Sequence, residues 1–355
     1  MQNHDQSRQL QEQLQRCFSH KSAVVVRGGG SKDFYGRQQS ADLEPFDVSA
    51  HRGIVNYEPT ELIITARAGT PINEISRVLA EAGQCLPFDP PELGGVATVG
   101  GTLACGFSGP SRPYAGSARD YILGAHVLNG KGEYLRVGGE VMKNVAGYDV
   151  SRLMVGAIGT LGVILQASLK VLPSAEKETT LIFHFERDSA LDFMNDLAGR
   201  PLPVNASCFY GDLVFVRLSG TEAGIDSAYR SLGGERLPST DKIWSSLREF
   251  EHPFFQSDLP LWRISLPALA KPELPGEVFI DWGGAQWWLH SDADADEIRI
   301  ATERCGGHAT LFRGGDRTSE VFHPLPPAMQ AMQERIRASF DPERILNPGR
   351  LTSER

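Results

Sequence analysis

The sequence predicts an α+β protein of two or more domains, on three observations. Its 355 residues exceed what one hydrophobic core organises, since cores stop growing at about 250–300 residues. The stretch Gly94–Gly162 carries 16 of the 37 glycines in about a fifth of the length. Glycine is unfavourable inside helices and strands, so such a density marks backbone that turns through positive φ or lies close against something. Beyond about residue 180 the texture changes to strands alternating with helices and hairpins, the pattern of an antiparallel sheet with helices on one face, organised as two ferredoxin-like units.

The elements follow in order. Leu10, Leu14 and Phe18 recur every four residues, which predicts an amphipathic helix over Ser7–Ser19. Val24-Val25-Val26 reads as a buried strand that runs straight into Arg27-Gly28-Gly29-Gly30-Ser31-Lys32. Three glycines after a strand, bracketed by two cations and a hydroxyl, suit a pyrophosphate: successive amides curl into an anion nest and Lys32 or Arg27 balances the charge. A plain glycine turn is the other reading of these residues alone. The run matches neither G-x-x-x-x-G-K-[ST] nor G-x-G-x-x-G, which disfavours a P-loop NTPase and a Rossmann dinucleotide site.

Leu62–Ala68 reads as a strand, and Thr70-Pro71 opens a helix with proline at its first position, Ile72, Ile75, Leu79 and Ala82 on one face, and Gly83 at its end. Leu86–Pro91 is rigid and extended. Leu123–Leu128 and Glu133–Val137 flank Asn129-Gly130-Lys131-Gly132 as a hairpin. Lys143–Asp149 reads as a polar loop, Val163–Val171 as a half-exposed strand ending at Pro173, and Ser174–Glu178 as a linker. The second half offers strands at Thr180–Phe185, Ser207–Tyr210, Val214–Leu218, Trp262–Leu266, Val278–Trp282 and Gln286–His290. Its helices lie near Ala190–Ala198, Ala223–Leu232, Lys242–Phe250 and Ala293–Cys305, with a tail helix over Pro327–Phe340.

Composition excludes several function classes. The net charge of −9 argues against nucleic acid or anionic lipid as the main partner. Met1–Gln9 is polar and lacks the apolar core of a signal peptide. Leu153–Leu169 is free of charge but broken by three glycines, so it reads as a loop and strand rather than a membrane span. A soluble, cytoplasmic protein is expected, at the membrane only peripherally through a complex. Cys17, Cys85, Cys105, Cys208 and Cys305 stand far apart with no C-x-x-C pair, so neither a zinc site nor an iron–sulfur cluster is expected. The glycine stretch offers bare N–H and C=O groups and few acid–base side chains, which suits a large, flat, polar ligand carrying phosphates.

The order of motifs carries a resemblance. Arg27-Gly28-Gly29-Gly30-Ser31, Pro90-Pro91, Ala97-Thr98-Val99-Gly100-Gly101 and Ser108-Gly109 follow one another. Tyr114-x-Gly116-x-x-Arg119-Asp120, Lys143-x-x-x-Gly147-Tyr148-Asp149 and Gly156-x-x-Gly159-Thr160-Leu161-Gly162-Val163-Ile164 come next, and Phe340-Asp341-Pro342-x-x-Ile345-Leu346-Asn347-Pro348-Gly349 ends the series. This resembles the FAD-binding domain of the vanillyl-alcohol oxidase and p-cresol methylhydroxylase type, as used by D-2-hydroxyacid dehydrogenases. Length, short N-terminus and Leu261-Trp262-Arg263-Ile264 are similar to the flavin-binding chains of multi-subunit glycolate or D-lactate dehydrogenases.

The resemblance implies a two-subdomain FAD-binding domain over 1–173, split near 50, an antiparallel ferredoxin-like α+β cap over 179–310, and a helix and tail, 311–355, that return to the FAD domain. It implies that Arg27, Gly28, Gly29, Gly30, Ser31 and Lys32 hold the FAD pyrophosphate. Asp89, Pro90, Thr98, Val99, Gly100 and Gly101 would line the path toward the isoalloxazine, with Gly106, Ser108 and Gly109 along the flavin and ribityl chain. Gly159, Gly162, Val163 and Ile164 would meet the adenine side, and Asn347 would reach the flavin from the tail. Covalent relatives place histidine where this chain has Ser31, so FAD is expected to be bound non-covalently.

The catalytic relatives also carry glutamate in G-S-E-G-T-L-G, where this chain has Gly156-Ala157-Ile158-Gly159, and use clustered histidines and an acid to bind a metal and take the hydroxyl proton. His184, His252, His290, His308 and His323 stand singly here, so no metal is expected and no general base is assigned. Arg263 suits a substrate carboxylate, although an arginine on such a strand more often marks a domain boundary. Trp287 and Trp288 face opposite sides of a strand, so at least one belongs to the core. Arg313, Asp316 and Arg317 read as a solvated loop.

The function expected is the FAD-binding subunit of a multi-chain glycolate or D-2-hydroxyacid dehydrogenase. A related catalytic flavosubunit would oxidise a small 2-hydroxy acid, and an iron–sulfur subunit would pass electrons to quinone. Two alternatives stay open: a self-sufficient FAD dehydrogenase whose base is a residue such as His323 or Tyr210, and a flavin-free structural subunit.

Overall fold

The structure is a computed structural model and describes residues 4–139, 148–238 and 241–353. Residues 143–147 of the Lys143–Asp149 motif therefore lie outside the described residues.

The N-terminal half is built on a five-stranded antiparallel sheet, in the order Ile54–Glu58, Ile63–Arg67, Val163–Lys170, Ile122–Leu128, Tyr134–Gly138. Val163–Lys170 is nearly buried throughout rather than half-exposed. It is the middle strand, and layers cover both faces: Ile164, Ala167 and Leu169 join the core of Ile72, Ile75, Leu79 and Leu103, while Val163 and Leu165 pack with Leu10, Leu14 and Phe46. The helix over Ile72–Glu81 buries Ile72, Ile75, Val78 and Leu79 against that sheet, and Pro71 caps it from outside in an extended conformation instead of occupying its first turn. A second unit pairs Val24–Arg27 in parallel with Glu44–Asp47, beneath the helix Ser7–His20.

The C-terminal half is one continuous eight-stranded sheet running from Lys177 to Arg313. Its two halves meet through Phe209 opposite Ile280. The first, Lys177–His184, Val204–Tyr210, Leu213–Gly220 and Glu235–Arg236, has its strands in spatial order 4-1-3-2 with helices Arg187–Ala198 and Glu222–Leu232 in the crossovers, which is the ferredoxin-like arrangement. The second, Leu261–Ser265, Glu277–Asp281, Gln286–His290 and His308–Arg313, repeats that order and keeps the crossover helix Ala295–Arg304. The proline-bearing segment 266–276 stands where its first helix would be, since proline blocks helix interiors. His308–Arg313, which the sequence reading left out, is an edge strand beside Leu261–Ser265.

One face of this sheet packs on its own helices through Leu191, Met194, Ile225, Trp287 and Ile298. The opposite face carries Phe254, Phe255, Phe279, Trp288 and Phe312, which cluster with Tyr35, Phe107 and Ile158 of the N-terminal half. Both neighbouring tryptophans are thus core residues, one on each face. This aromatic layer fixes the two halves against each other and walls in the glycine segments.

The tail closes the molecule. Helix Pro327–Phe340 ends at Asp341, whose carboxylate accepts from Ile345 N and Leu346 N. The chain then runs parallel to Val24, with Val24 N donating to Ile345 O and Asn347 N to Val24 O.

Candidate functional site

A cleft opens where Val24–Arg27 ends, with Gly28–Lys32 forming its floor. Among the described residues, none of the backbone N–H groups from Gly28 to Lys32 meets an acceptor. Backbone donors are normally paired, so five successive unpaired ones make a polar concavity suited to an anion. Lys32 is only 6% exposed, its Nζ donates to Ser31 Oγ at 3.2 Å, and it forms no ion pair with a described residue. Burial pushes its pKa down, the signature of a cation held without its counter-charge. Arg27 also lines the cleft but is paired with Asp33 at 2.8 Å, which leaves Lys32 as a floor cation with no ion pair to a described residue.

The glycines here are dictated by contact. A Cβ at Gly29 would lie 1.8 Å from Val96 O, and one at Gly100 would lie 2.7 Å from Ala68 Cβ. Only bare backbone lets the floor and wall approach this closely. The wall is the helix Val99–Cys105, which the sequence reading missed because two glycines fill its first turn. Thr98 caps it by accepting from Gly101 N. Gly100 and Gly101 face the cleft, while Val99 is turned into the core.

The far wall is Ile158, Gly159, Gly162 and Ile164, with Asn347 and Arg350 from the tail. Asn347 Oδ1 accepts from Val26 N at 2.8 Å and its Nδ2 donates to Ile158 O at 2.6 Å, so its amide braces the cleft. Arg350, absent from the sequence reading although it follows Asn347-Pro348-Gly349 directly, donates to Lys32 O and Tyr35 O at 3.0 Å each. Its Nε is buried without a partner. Unpaired amides, an unpaired lysine and an orphaned guanidinium nitrogen around one cleft fit a dinucleotide carrying a diphosphate.

Thirteen of the expected residues meet on this cleft: Arg27 to Lys32, Thr98, Gly100, Gly101, Gly159, Gly162, Ile164 and Asn347. Val163 is core. Pro90 is buried nearby, and Asp89 sits in an ion-pair network with Arg217 at 3.4 Å and Arg248 at 3.6 Å. Gly106, Ser108 and Gly109 line a second, smaller pocket of about 30 Å³, and Gly106 directly follows Cys105 of the cleft in the chain.

That second pocket lies between the glycine segment Gly106–Pro110 and the aromatic face of the large sheet. Arg263 is on its wall, donating to Tyr35 Oη at 2.9 Å with its guanidinium 5.6 Å from the Phe312 ring centre. Asp281, at the end of Glu277–Asp281, is buried there and accepts from Trp282 N at 2.7 Å. Burial pushes its pKa up to about 7. The sequence reading did not single out Asp281; an acid directly after the apolar run Val278-Phe279-Ile280 was the only available signal.

The earlier candidates for a base are engaged elsewhere. Tyr210 Oη donates to Glu277 at 2.7 Å, His323 Nε2 pairs with Glu303 at 3.0 Å, and neither lines the second pocket. His290 is buried between the carbonyls of Leu259 and Phe254. Arg317 is no solvated side chain: it donates to the carbonyls of Gly36 and Asp33, pinning the loop after the glycine triplet. Arg313 likewise donates to Phe255 O. Among the described residues no three potential metal ligands cluster, and no helix is long and apolar enough to cross a membrane.

Comparison with known proteins agrees with this geometry. The family model described as the FAD binding domain matches residues 5–138. Glycolate oxidase subunit GlcE of Escherichia coli (strain K12) is 44% identical over 351 residues, 99% of this chain and 98% of that protein. Glycolate oxidase subunit GlcD of Bacillus subtilis (strain 168) is 30% identical over 182 residues, 51% of this chain but 38% of that protein. A D-lactate dehydrogenase of Anaerostipes hadrus is 29% identical over 189 residues, 48% of this chain and 38% of that protein. Among solved structures, an alkyldihydroxyacetonephosphate synthase superposes with a TM-score of 0.68 at 13% identity, over 96% of this chain and 75% of that one, a likeness of fold. The chain belongs to the family of glycolate oxidase subunit GlcE, FAD-dependent oxidoreductases built on an FAD-binding domain of the p-cresol methylhydroxylase type.

Proposed function

We propose that this chain is the FAD-binding subunit of a multi-subunit dehydrogenase that oxidises glycolate to glyoxylate. The observation that carries the reading is the run of unpaired amides over Gly28–Lys32 beside the buried, unpaired Lys32. These groups hold the diphosphate of FAD, with Ser31 and Arg350 beside it. Gly159, Gly162 and Ile164 shape the adenine side, with Val163 in the core behind them. Asp89, Pro90, Thr98, Gly100 and Gly101 shape the passage, with Val99 in the core behind it, and Gly106, Ser108 and Gly109 the flavin end. Asn347 holds the strand and loop that frame the passage. Bound there, FAD supplies a two-electron acceptor. Ser31 has no imidazole to offer, so the attachment is non-covalent.

Partners follow from chemistry and relatives. GlcE and GlcD are both named as glycolate oxidase subunits, which supports a hetero-oligomer with a related flavosubunit. The five cysteines are dispersed, so an iron–sulfur partner carries electrons onward to quinone, with any membrane contact made through the complex.

The test is the visible spectrum of the purified chain before and after acid precipitation. Flavin bands that move into the acid supernatant are expected. A colourless protein that refuses added FAD would contradict the reading, and flavin retained in the pellet would contradict the non-covalent attachment.

A further inference from the structure

We infer that Asp281 accepts the hydroxyl proton of a small 2-hydroxycarboxylate seated in the second pocket, with Arg263 holding its carboxylate. This rests on the FAD reading above and deepens it, because it makes this chain's own pocket a place of substrate oxidation.

Three observations support the assignment. First, the pocket is built for an anion. Arg263 lines it, and Arg112 stacks 4.3 Å over the ring of Trp282 on its wall; neither forms an ion pair with a described residue. The proximity of Arg263, after burial, pushes the pKa of Arg112 down. The half-buried Arg263, with the more exposed Arg112 close by and no carboxylate of a described residue paired to either, suits a carboxylate ligand, which a guanidinium binds in two-pronged fashion. Second, the pocket is small and apolar elsewhere, with Phe250, Trp288 and Phe312 on its walls, so it takes a ligand of few atoms. Third, its polar wall is equipped for a hydroxyl. Asp281 stands beside Gln286, whose buried Oε1 has no partner.

The groups facing Asp281 come from every side. Arg217 lies on Leu213–Gly220, Cys208 on Val204–Tyr210, Asp89 in the extended segment before the glycines, and Tyr114 on the short helix Arg112–Ala115. Arg248 and Arg263 share the pocket. Arg217 favours the charged carboxylate but is itself paired with Asp89, which opposes it, so burial dominates and Asp281 titrates near neutrality. A base with that pKa is well matched to a proton transfer at physiological pH.

The step balances as follows. The C2 hydroxyl O–H bond breaks and its proton goes to Asp281, while the C2–H bond breaks and its hydrogen leaves with the electron pair to FAD. The hydroxy acid is oxidised to the 2-oxo acid, FAD is reduced, and Asp281 is left protonated.

The experiment uses the full FAD-loaded chain under anaerobic conditions, with glycolate as reductant and oxalate as an inert two-carbon probe. In the wild type, glycolate should bleach the flavin bands in a single turnover whose rate rises with pH and levels off above about 7, since Asp281 must be deprotonated to act. Asp281→Asn keeps the acceptor for Trp282 N, should retain its flavin bands, and should bleach about 10²- to 10⁴-fold more slowly with no inflection near pH 7. Independently of turnover, oxalate should change tryptophan fluorescence in the wild type and not in Trp282→Phe. Its affinity should fall as pH rises through 7 in the wild type, stay constant in Asp281→Asn, and drop at least tenfold in Arg263→Gln. Wild-type bleaching rates and pH profile in Asp281→Asn, or oxalate binding indifferent to Arg263→Gln, would overturn the inference. A flavin-loaded wild type that glycolate leaves unbleached would overturn it too while leaving the FAD-subunit reading intact; a chain that binds no flavin would overturn both.

Discussion

Lys32 shows how a single residue can be costly to the empty protein and useful to the loaded one. A buried ammonium without a counter-ion destabilises the fold, and its depressed pKa reports that cost. A diphosphate in the cleft supplies the missing charge. Lys32→Met should therefore leave the melting temperature of the flavin-free chain unchanged or raised. It should weaken FAD binding by about 10- to 100-fold, the worth of one charged hydrogen bond, as measured by titration calorimetry. The residue types at this site were legible in the sequence because glycine triplets and flanking cations are local signals. Their division of labour was not. That Arg27 is spent on Asp33 while Lys32 is free depends on how the turn 30–35 folds back. Asp281 and Arg350 were invisible for a stronger reason, since each becomes meaningful only beside residues far away in the chain.

At the scale of elements, the tail holds the cleft together. Asn347 ties the strand Val24–Arg27 to the loop at Ile158 through two buried hydrogen bonds, and does so from a left-handed backbone that asparagine tolerates better than most residues. Asn347→Ala should cost about 2–4 kcal/mol in urea unfolding, because both bonded backbone groups lose their partner. FAD binding should weaken with it, since floor and far wall then separate. Element existence was readable wherever periodicity or a turn was strong: the helices Ser7–His20 and Pro327–Phe340 and the hairpin around Asn129-Gly130 lie where the pattern puts them. It failed for Val99–Cys105, where glycines needed for close approach disguise a helix, and for His308–Arg313, a short edge strand with charged or polar ends.

The molecule as a whole depends on one aromatic layer. Phe312 packs against Trp288 at 4.8 Å, Phe250 at 5.2 Å and Phe107 at 5.5 Å between ring centres, joining the large sheet to the glycine segment. Phe312→Ala should destabilise the chain by about 3–5 kcal/mol through the cavity it leaves. Because the same layer walls the second pocket, oxalate binding should weaken in that variant as well. The central claim is that the cleft over Gly28–Lys32 and Gly100–Gly101 is where FAD binds, and Gly101 tests it most directly. A Cβ there would meet only Thr98 Oγ1, at 3.2 Å, a tight contact that needs the hydroxyl to give by a few tenths of an ångström, at a position facing the cleft. The decisive measurement is calorimetric titration of FAD into the flavin-stripped chain and into Gly101→Val. The account predicts one-to-one binding by the wild type and at least tenfold weaker binding by the variant, with the flavin-free variant still showing a cooperative melting transition. Equal affinities would contradict it.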